Sequence, residues 1–207
     1  MKTKSAPEKR TYKQGARAEA AEATGHRITA AFLTRAETEW FDEITLESLA
    51  QDAGVTVQTL IRRFGGKDGV VDAASASFEV DVITQRQCER GDVKRAIEGL
   101  IGDYERAGGF VMRMLAQEDR YASIKRVTDK GRAGHRKWLG EVFTPWLESL
   151  TPKAREARLD ALVAATDIFL WRLVRNDMGR DVSAYRKLMQ QLIAGALDGE
   201  KPWEKAK

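Results

Sequence analysis

The chain has 207 residues, 43% of them apolar and 32% charged, enough to bury a core beneath a well-solvated surface. Its single cysteine, Cys88, excludes an intramolecular disulfide and a cysteine-based zinc site, and the two histidines, His26 and His135, lie far apart in sequence. The polar N-terminus is not a secretory signal and no apolar run approaches the roughly 18 residues of a membrane span, so a soluble, cytoplasmic protein without cofactor or metal is expected.

The formal charge of +4 says less than its distribution. Residues 1–36 hold eight basic side chains (Lys2, Lys4, Lys9, Arg10, Lys13, Arg17, Arg27, Arg35) against three acids, Glu8, Glu19 and Glu22. Residues 37–61 hold only acids, and Arg62, Arg63 and Lys67 then follow. Such clusters suit a polyanion partner, and equally a solvated tail with ordinary surface charge.

In chain order, residues 1–24 form a basic arm, read as flexible over 1–15 where Pro7 and Gly15 fall. A helix from about Ala16 or Gly25 to Trp40 carries Ile28, Ala31, Phe32 and Ala36 on one face. Thr45 is placed to cap a helix whose Leu46, Leu49, Ala50 and Ala53 recur at helical spacing and which Gly54 ends. Thr56 caps the next helix, Val57 to about Phe64, before "GGKDG" at 65–69 breaks the chain. Further helices are expected at about 68–89, 92–107, 110–118, 123–142, 152–176 and 182–197, with breaks at Gly91, at Gly108-Gly109 and at "DMGRD". The fold class is all-α.

At about 100° per residue, Val57, Leu60, Ile61 and Phe64 share one face of the 57–64 helix, and Gln58, Thr59, Arg62 and Arg63 the other. With small Ala50 and Gly54 at the corner, this is how a helix-turn-helix is built, its second helix suited to a DNA major groove. Thr56, Gln58 and Thr59 can bond bases or phosphates, and Arg62 and Arg63 suit guanine edges or phosphates. A helical hairpin with a solvated polar face fits the same window.

The wider stretch "RITAAFLTRAETEWFDEITLESLAQDAGVTVQTLIRRFGGKDGVVDAA" resembles the DNA-binding region of the TetR family of bacterial transcriptional regulators. The match covers about residues 25–74: an amphipathic first helix, then "ITLESLAQDAGVTVQTL", then "RRFGGKDGVV". The resemblance implies an N-terminal three-helix DNA-binding domain at 25–68, followed by a helical effector-binding and dimerisation domain at 69–200 and a tail at 201–207. It implies DNA contacts from Thr45, Thr56, Val57, Gln58, Thr59, Arg62, Arg63 and Lys67. Where the family commonly has a phosphate-touching tyrosine, this chain has Ile61, which would join the core and leave phosphate anchoring to Thr45, Arg62, Arg63 and Lys67. The first helix also runs into "AETEWFDEI" without the glycine often seen at that corner. The basic arm could then follow the phosphate backbone or enter the minor groove, or act only as a solubilising tail.

Other chemistry is sparse. "GGKDG" lacks Walker A spacing and follows no predicted strand. No Ser-His-Asp arrangement, metal cluster or catalytic carboxylate pair emerges, so no catalytic residue is assigned, and Cys88 is expected to be buried or inert. Among the bulky side chains of the body, Phe110, Met114, Trp138 and Trp171 are candidates to line a cleft for a mostly apolar effector. His135 and Asp167, the latter read as mid-helix, are candidates for its polar groups. The expected reading is a homodimer, paired through about residues 152–197, that binds a near-palindromic double-stranded DNA operator and is released by a small molecule. A helical DNA-binding regulator without an effector, and an all-α enzyme or carrier, are the alternatives.

Overall fold

The computed structural model describes residues 8–198, with side chains from Ala18 onward. Among them the chain is all-α and forms two compact units, Met1–Ser77 and Phe78–Lys207. The expectations for residues 1–7 and for the 201–207 tail lie outside the described residues.

In the first unit, α1 (Glu8–Ala36) starts well before the expected Ala16 or Gly25 and ends before Trp40. The expected arm over 8–24 is therefore helix. Ala16, Ala18, Ala20, Ala21 and Ala23 supply the high helix propensity that outweighs the one cost at Gly15. Helices α2 (Leu46–Ala53), α3 (Val57–Phe64) and the first part of α4 (Lys67–Gln85) complete this unit. Ile28, Phe32, Ala36, Phe41, Ile44, Leu49, Ala50, Ala53, Leu60, Val70, Val71 and Ala74 are buried in it.

The second unit begins within α4 and adds α5 (Val93–Leu115), α6 (Ala122–Val142), short α7 (Thr144–Leu147), α8 (Pro152–Thr166), α9 (Ile168–Trp171) and α10 (Val182–Ala196). Its core draws on α5 (Ile97, Leu100, Ile101, Tyr104), α6 (Leu139, Val142), α8 (Leu159, Leu162) and α10 (Tyr185, Met189, Ile193).

Two expected boundaries are wrong here, each for a definite physical reason. Gly108-Gly109 does not break the chain, because α5 passes straight through it. The Trp171 ring lies on Gly108, where an added Cβ would sit 2.6 Å from Cη2 and 2.7 Å from Cζ3. Glycine is there for a close approach, not for a turn. Conversely, the single helix expected over 152–176 is interrupted at Asp167, which is extended (φ −67°, ψ 150°). Its carboxylate accepts the Phe169 N–H at 2.9 Å and so caps α9, which continues into a wider π-helical turn at Arg172–Asp177.

The Gly108 contact makes a paired expectation. Gly108→Ala should lower unfolding stability by about 1–3 kcal/mol, because a rigid indole must move. Gly109→Ala, where nothing lies within 4 Å of the added carbon, should be neutral or slightly stabilising. Urea unfolding of the two variants checks this; equal stabilities would show that the ring yields freely.

Candidate nucleic-acid interface

The corner between α2 and α3 is held almost entirely by capping. Thr45 accepts the Ser48 N–H at 3.0 Å while the Ser48 hydroxyl accepts the Thr45 N–H at 3.2 Å, a reciprocal box at the start of α2. Gly54 takes the left-handed conformation (φ 65°) that ends α2, and the Val55 N–H returns to the Ala50 carbonyl at 2.9 Å. From α1, Arg27 Nε donates to the Ala53 carbonyl at 3.0 Å, a cation at the negative end of α2. Thr56 then caps α3 by accepting the Thr59 N–H at 3.2 Å.

On α3, Leu60 alone is fully buried; Val57 and Phe64 are half-buried beside it. Ile61 corrects its expected place in the core. It lies about 100° round the helix from Leu60 and is 43% exposed. Gln58 and Arg62 are exposed too and are without a hydrogen bond or ion pair among the described residues, whereas Thr59 is half-buried and shares a 3.0 Å hydroxyl contact with Thr56. Arg63 is exposed as a residue, yet its guanidinium turns back over the Phe64 ring at 5.5 Å and lies against α1 at Gly25. A Cβ at Gly25 would meet its Cζ at 2.7 Å, so the absence of a side chain there makes the seat for the guanidinium.

Lys67 also departs from expectation. Its ammonium donates to the Phe41 carbonyl at 2.6 Å and the Ile44 carbonyl at 2.8 Å, and sits 4.0 Å from the centre of the Phe41 ring. Burial pulls its pKa below the usual lysine value. This lysine ties the Phe41–Ile44 turn to the start of α4 instead of standing free for a phosphate. Thr45 and Thr56 are exposed caps, able to receive a further partner only through the lone pairs and hydroxyl hydrogens that capping leaves.

The six side chains considered for an effector do not converge on one cleft. Phe110 packs on Phe78 with ring centres 5.3 Å apart, and Met114 is buried. Trp171 donates to Glu105 at 2.7 Å. Asp167 is the α9 cap described above, half-buried and engaged with the backbone, not a carboxylate in mid-helix. His135 and Trp138 do share a site, in stacked contact at 5.9 Å. Its centre is a residue that sequence reasoning did not single out. Arg86 donates to Asp103 at 2.6 Å, to His135 Nδ1 at 3.2 Å, and its carbonyl accepts the Trp138 indole at 3.2 Å. Because an arginine can only donate, His135 Nδ1 is the acceptor, and the proton on Nε2 is directed at Thr166 Oγ1, 3.0 Å away. An open groove of about 520 Å³ lies elsewhere, lined by Arg90, Arg136, Lys137, Gly140, Arg155 and Leu159 among others. Among the described residues no group of three or more His, Cys, Asp or Glu is placed to hold a metal ion, and no helix is long and apolar enough to cross a membrane.

No family model and no curated protein matches this chain. A solved structure does: a Pseudomonas aeruginosa PAO1 protein provisionally described as a transcriptional regulator superposes with a TM-score of 0.65 at 15% identity. The match covers 84% of this chain and 90% of that one. At that identity the likeness speaks for the fold, and the two chains share an all-helical architecture over most of their length.

The His135 environment sets a pH dependence. Burial and the facing Arg86 guanidinium lower its pKa from 6.5 to about 3. Between those values the unfolded chain binds more protons than the folded one. This stability is therefore complete above about pH 6.5 and is lost as the pH falls, by up to about 1.4 kcal/mol per pH unit for one such group. Urea midpoints of wild type should drop between pH 6.5 and 5, while those of His135→Gln should change much less. Parallel curves would exclude His135 as the source.

Proposed function

We propose that this chain is a sequence-specific DNA-binding transcriptional regulator that reads the major groove with α3. Within that class we assign it to the TetR family, as a cytoplasmic, homodimeric repressor released from a near-palindromic operator by a small molecule. The observation that carries the proposal is the surface of α3: Gln58, Ile61 and Arg62 stand side by side, exposed, on a helix whose other contacts and caps hold it rigidly against α1 and α2. A base-reading helix has a use for an isoleucine beside two unengaged polar side chains: glutamine suits adenine, arginine suits guanine, and an aliphatic group suits the thymine methyl. Phosphate contacts are assigned to the exposed ends of the corner, Thr45 and Thr56, with Val57 and Thr59 beside them. Arg63 and Lys67 act through position.

Selection of duplexes from a random pool by the purified chain tests this directly, with a single enriched motif as the expected result. On that DNA, Arg62→Ala and Gln58→Ala should each weaken binding by roughly 1–3 kcal/mol and relax preference at one base pair. Unchanged affinity in both would remove α3 from the interface.

The dimer rests on a second surface. On α10, Tyr185, Met189 and Ile193 are spent on the chain's own core, but Leu192 stays 41% exposed. Phe169 and Leu173, in α9 and the turn after it, are 57% and 49% exposed. With Met178, also 49% exposed, four large apolar side chains are left bare in the segment 168–192, the kind of surface a second copy covers. Sedimentation should find a dimer at micromolar concentration, and Leu192→Glu with Phe169→Glu should give folded monomers with weaker operator binding; wild-type monomers would end this part of the reading.

The effector is assigned to the second unit near His135, Trp138 and Asp167. The support is the Tyr185 hydroxyl, which is buried there without a hydrogen-bond partner, a donor that a ligand would satisfy.

A further inference from the structure

The groove beside α6 collects more positive charge than the chain itself neutralises. Three segments build it: the loop ahead of α5 with Arg90, the C-terminal half of α6 with Arg136, Lys137 and Gly140, and the start of α8 with Arg155 and Leu159. The α6 positions recur at three- and four-residue steps and so share one face. The loop is held in place next to Arg90. Gly91 takes the left-handed conformation (φ 83°), and its N–H donates to the Val142 carbonyl at 2.8 Å, near the end of α6. Asp92 then caps α5 by accepting the Arg95 N–H at 3.0 Å. Leu159, only 7% exposed, gives the groove an apolar surface, and a Cβ added at Gly140 would meet nothing within 4 Å.

Of the four cations in the lining, two have acidic partners. Arg136 spans Glu156 and Asp160, each at 2.6 Å, and Lys137 lies 3.9 Å from Glu141, the one acid of the lining. Arg90 and Arg155 are exposed and are without a hydrogen bond or ion pair among the described residues. Arg155 also stands where a cation is unfavourable. The first turn of α8 holds Lys153 and Arg155 and no acid, at the positive end of the helix dipole. An oxyanion bound here would engage donors that the fold leaves unused and would offset that dipole.

We propose that this groove binds a small organic anion, its phosphate or carboxylate headgroup held by Arg90 and Arg155 and its apolar body lying along Leu159 and Gly140. The planar guanidinium fork matches either headgroup. The groove volume of about 520 Å³ falls within the roughly 300–1,000 Å³ of small-ligand clefts. Cations that line a concavity suit a small anion, whereas a duplex calls for an extended face. The site shares no residue with the Arg86–His135–Trp138 cluster, and it stands whether or not α3 reads DNA.

Isothermal titration calorimetry at about 50 mM salt, where charge contacts are little screened, tests this. The probes are 1-naphthyl phosphate, 1-naphthoate, inorganic phosphate and uncharged 1-naphthol. Arg90→Gln and Arg155→Gln each remove a headgroup donor, Gly140→Leu fills the groove, and Lys187→Gln removes the same charge from α10, outside the lining. Wild type should bind a naphthyl anion at one site per chain, the tighter of the two naming the preferred headgroup. Inorganic phosphate should bind more weakly and 1-naphthol not measurably. Each arginine variant should lose about tenfold or more in affinity, the usual worth of a charge-assisted hydrogen bond. Gly140→Leu should abolish binding, and Lys187→Gln should match wild type. Thermal midpoints of the arginine variants should stay at the wild-type value, because neither side chain has a partner in the fold, so their loss of affinity would not be a loss of structure. Three results would overturn the proposal: no saturable binding of either naphthyl anion, an equal loss in Lys187→Gln and the arginine variants, or inorganic phosphate binding as tightly as the naphthyl anions.

Discussion

Orphan carbonyls at helix ends and turns decide where the cations of the first unit go. The Phe41 and Ile44 carbonyls take the ammonium of Lys67, and the last carbonyl of α2 takes the Arg27 guanidinium. Arg35 is claimed by Asp52 and Glu39, Arg63 by the Phe64 ring and the bare backbone at Gly25. A buried carbonyl left unsatisfied costs more than a surface ion pair returns, so these contacts prevail over any looser electrostatic use of the same side chains. What looks in one dimension like a polyanion footprint is, for Arg27, Arg35, Arg63 and Lys67, the fastening of α1, α2, α3 and the start of α4 to one another. Among the described side chains of that footprint, Arg62 is the one left over.

The second unit obeys the same constraint with a harder case at its centre. Asp103 is buried, and an isolated carboxylate there would be strongly unfavourable. Arg86 and Arg106 both bond it, and Arg86 is held in turn by His135 and lies within cation–π range of Tyr104 and Trp138. The chain of donors continues through Thr166 to the Leu162 carbonyl at 2.7 Å, which leaves one consistent tautomer for His135. Removing Asp103 would leave the largely buried Arg86 without its carboxylate, so this cluster specifies how the segments around it pack more sharply than apolar contacts alone. A ligand that entered it would have to replace bonds already made. The buried Tyr185 hydroxyl, without a hydrogen-bond partner among the described residues, would gain a bond instead.

Where local chemistry decides, the sequence was readable. Thr45 and Thr56 cap the helices they were expected to cap, Gly54 ends α2, and α8 begins at 152 as expected. Where a distant residue decides, it was not. Gly108 looked like a break because nothing in its neighbourhood announces that Trp171, far along the chain, will lie on it. Asp167 looked like a mid-helix carboxylate, since a capping residue inside an apolar run gives no signal until the backbone turns. Ile61 is the instructive error. Helical spacing put it with Val57, Leu60 and Phe64, but an eight-residue helix has only one line of closest approach to its neighbours, and Leu60 occupies it. Arg86 carried no signal beyond an arginine near a predicted helix end.

If α3 reads DNA as proposed, its exposed face also bears on why one chain would not suffice. Eight residues of helix are about 12 Å long, the height of three or four base pairs. Three base-directed side chains, each worth about 1–3 kcal/mol of discrimination, sum to about 3–9 kcal/mol, and to the lower part of that range once geometry is imperfect. A bacterial genome offers on the order of a million competing sites, which a regulator must outbid by about 8 kcal/mol at 1.4 kcal/mol per tenfold. Phosphate contacts cannot close that gap, because they strengthen right and wrong sites alike. A second identical reading head can, by reading as many base pairs again. On the proposed reading, the requirement for specificity on α3 and the bare apolar side chains at Phe169, Leu173, Met178 and Leu192 would be met by the same thing, a second copy of the chain.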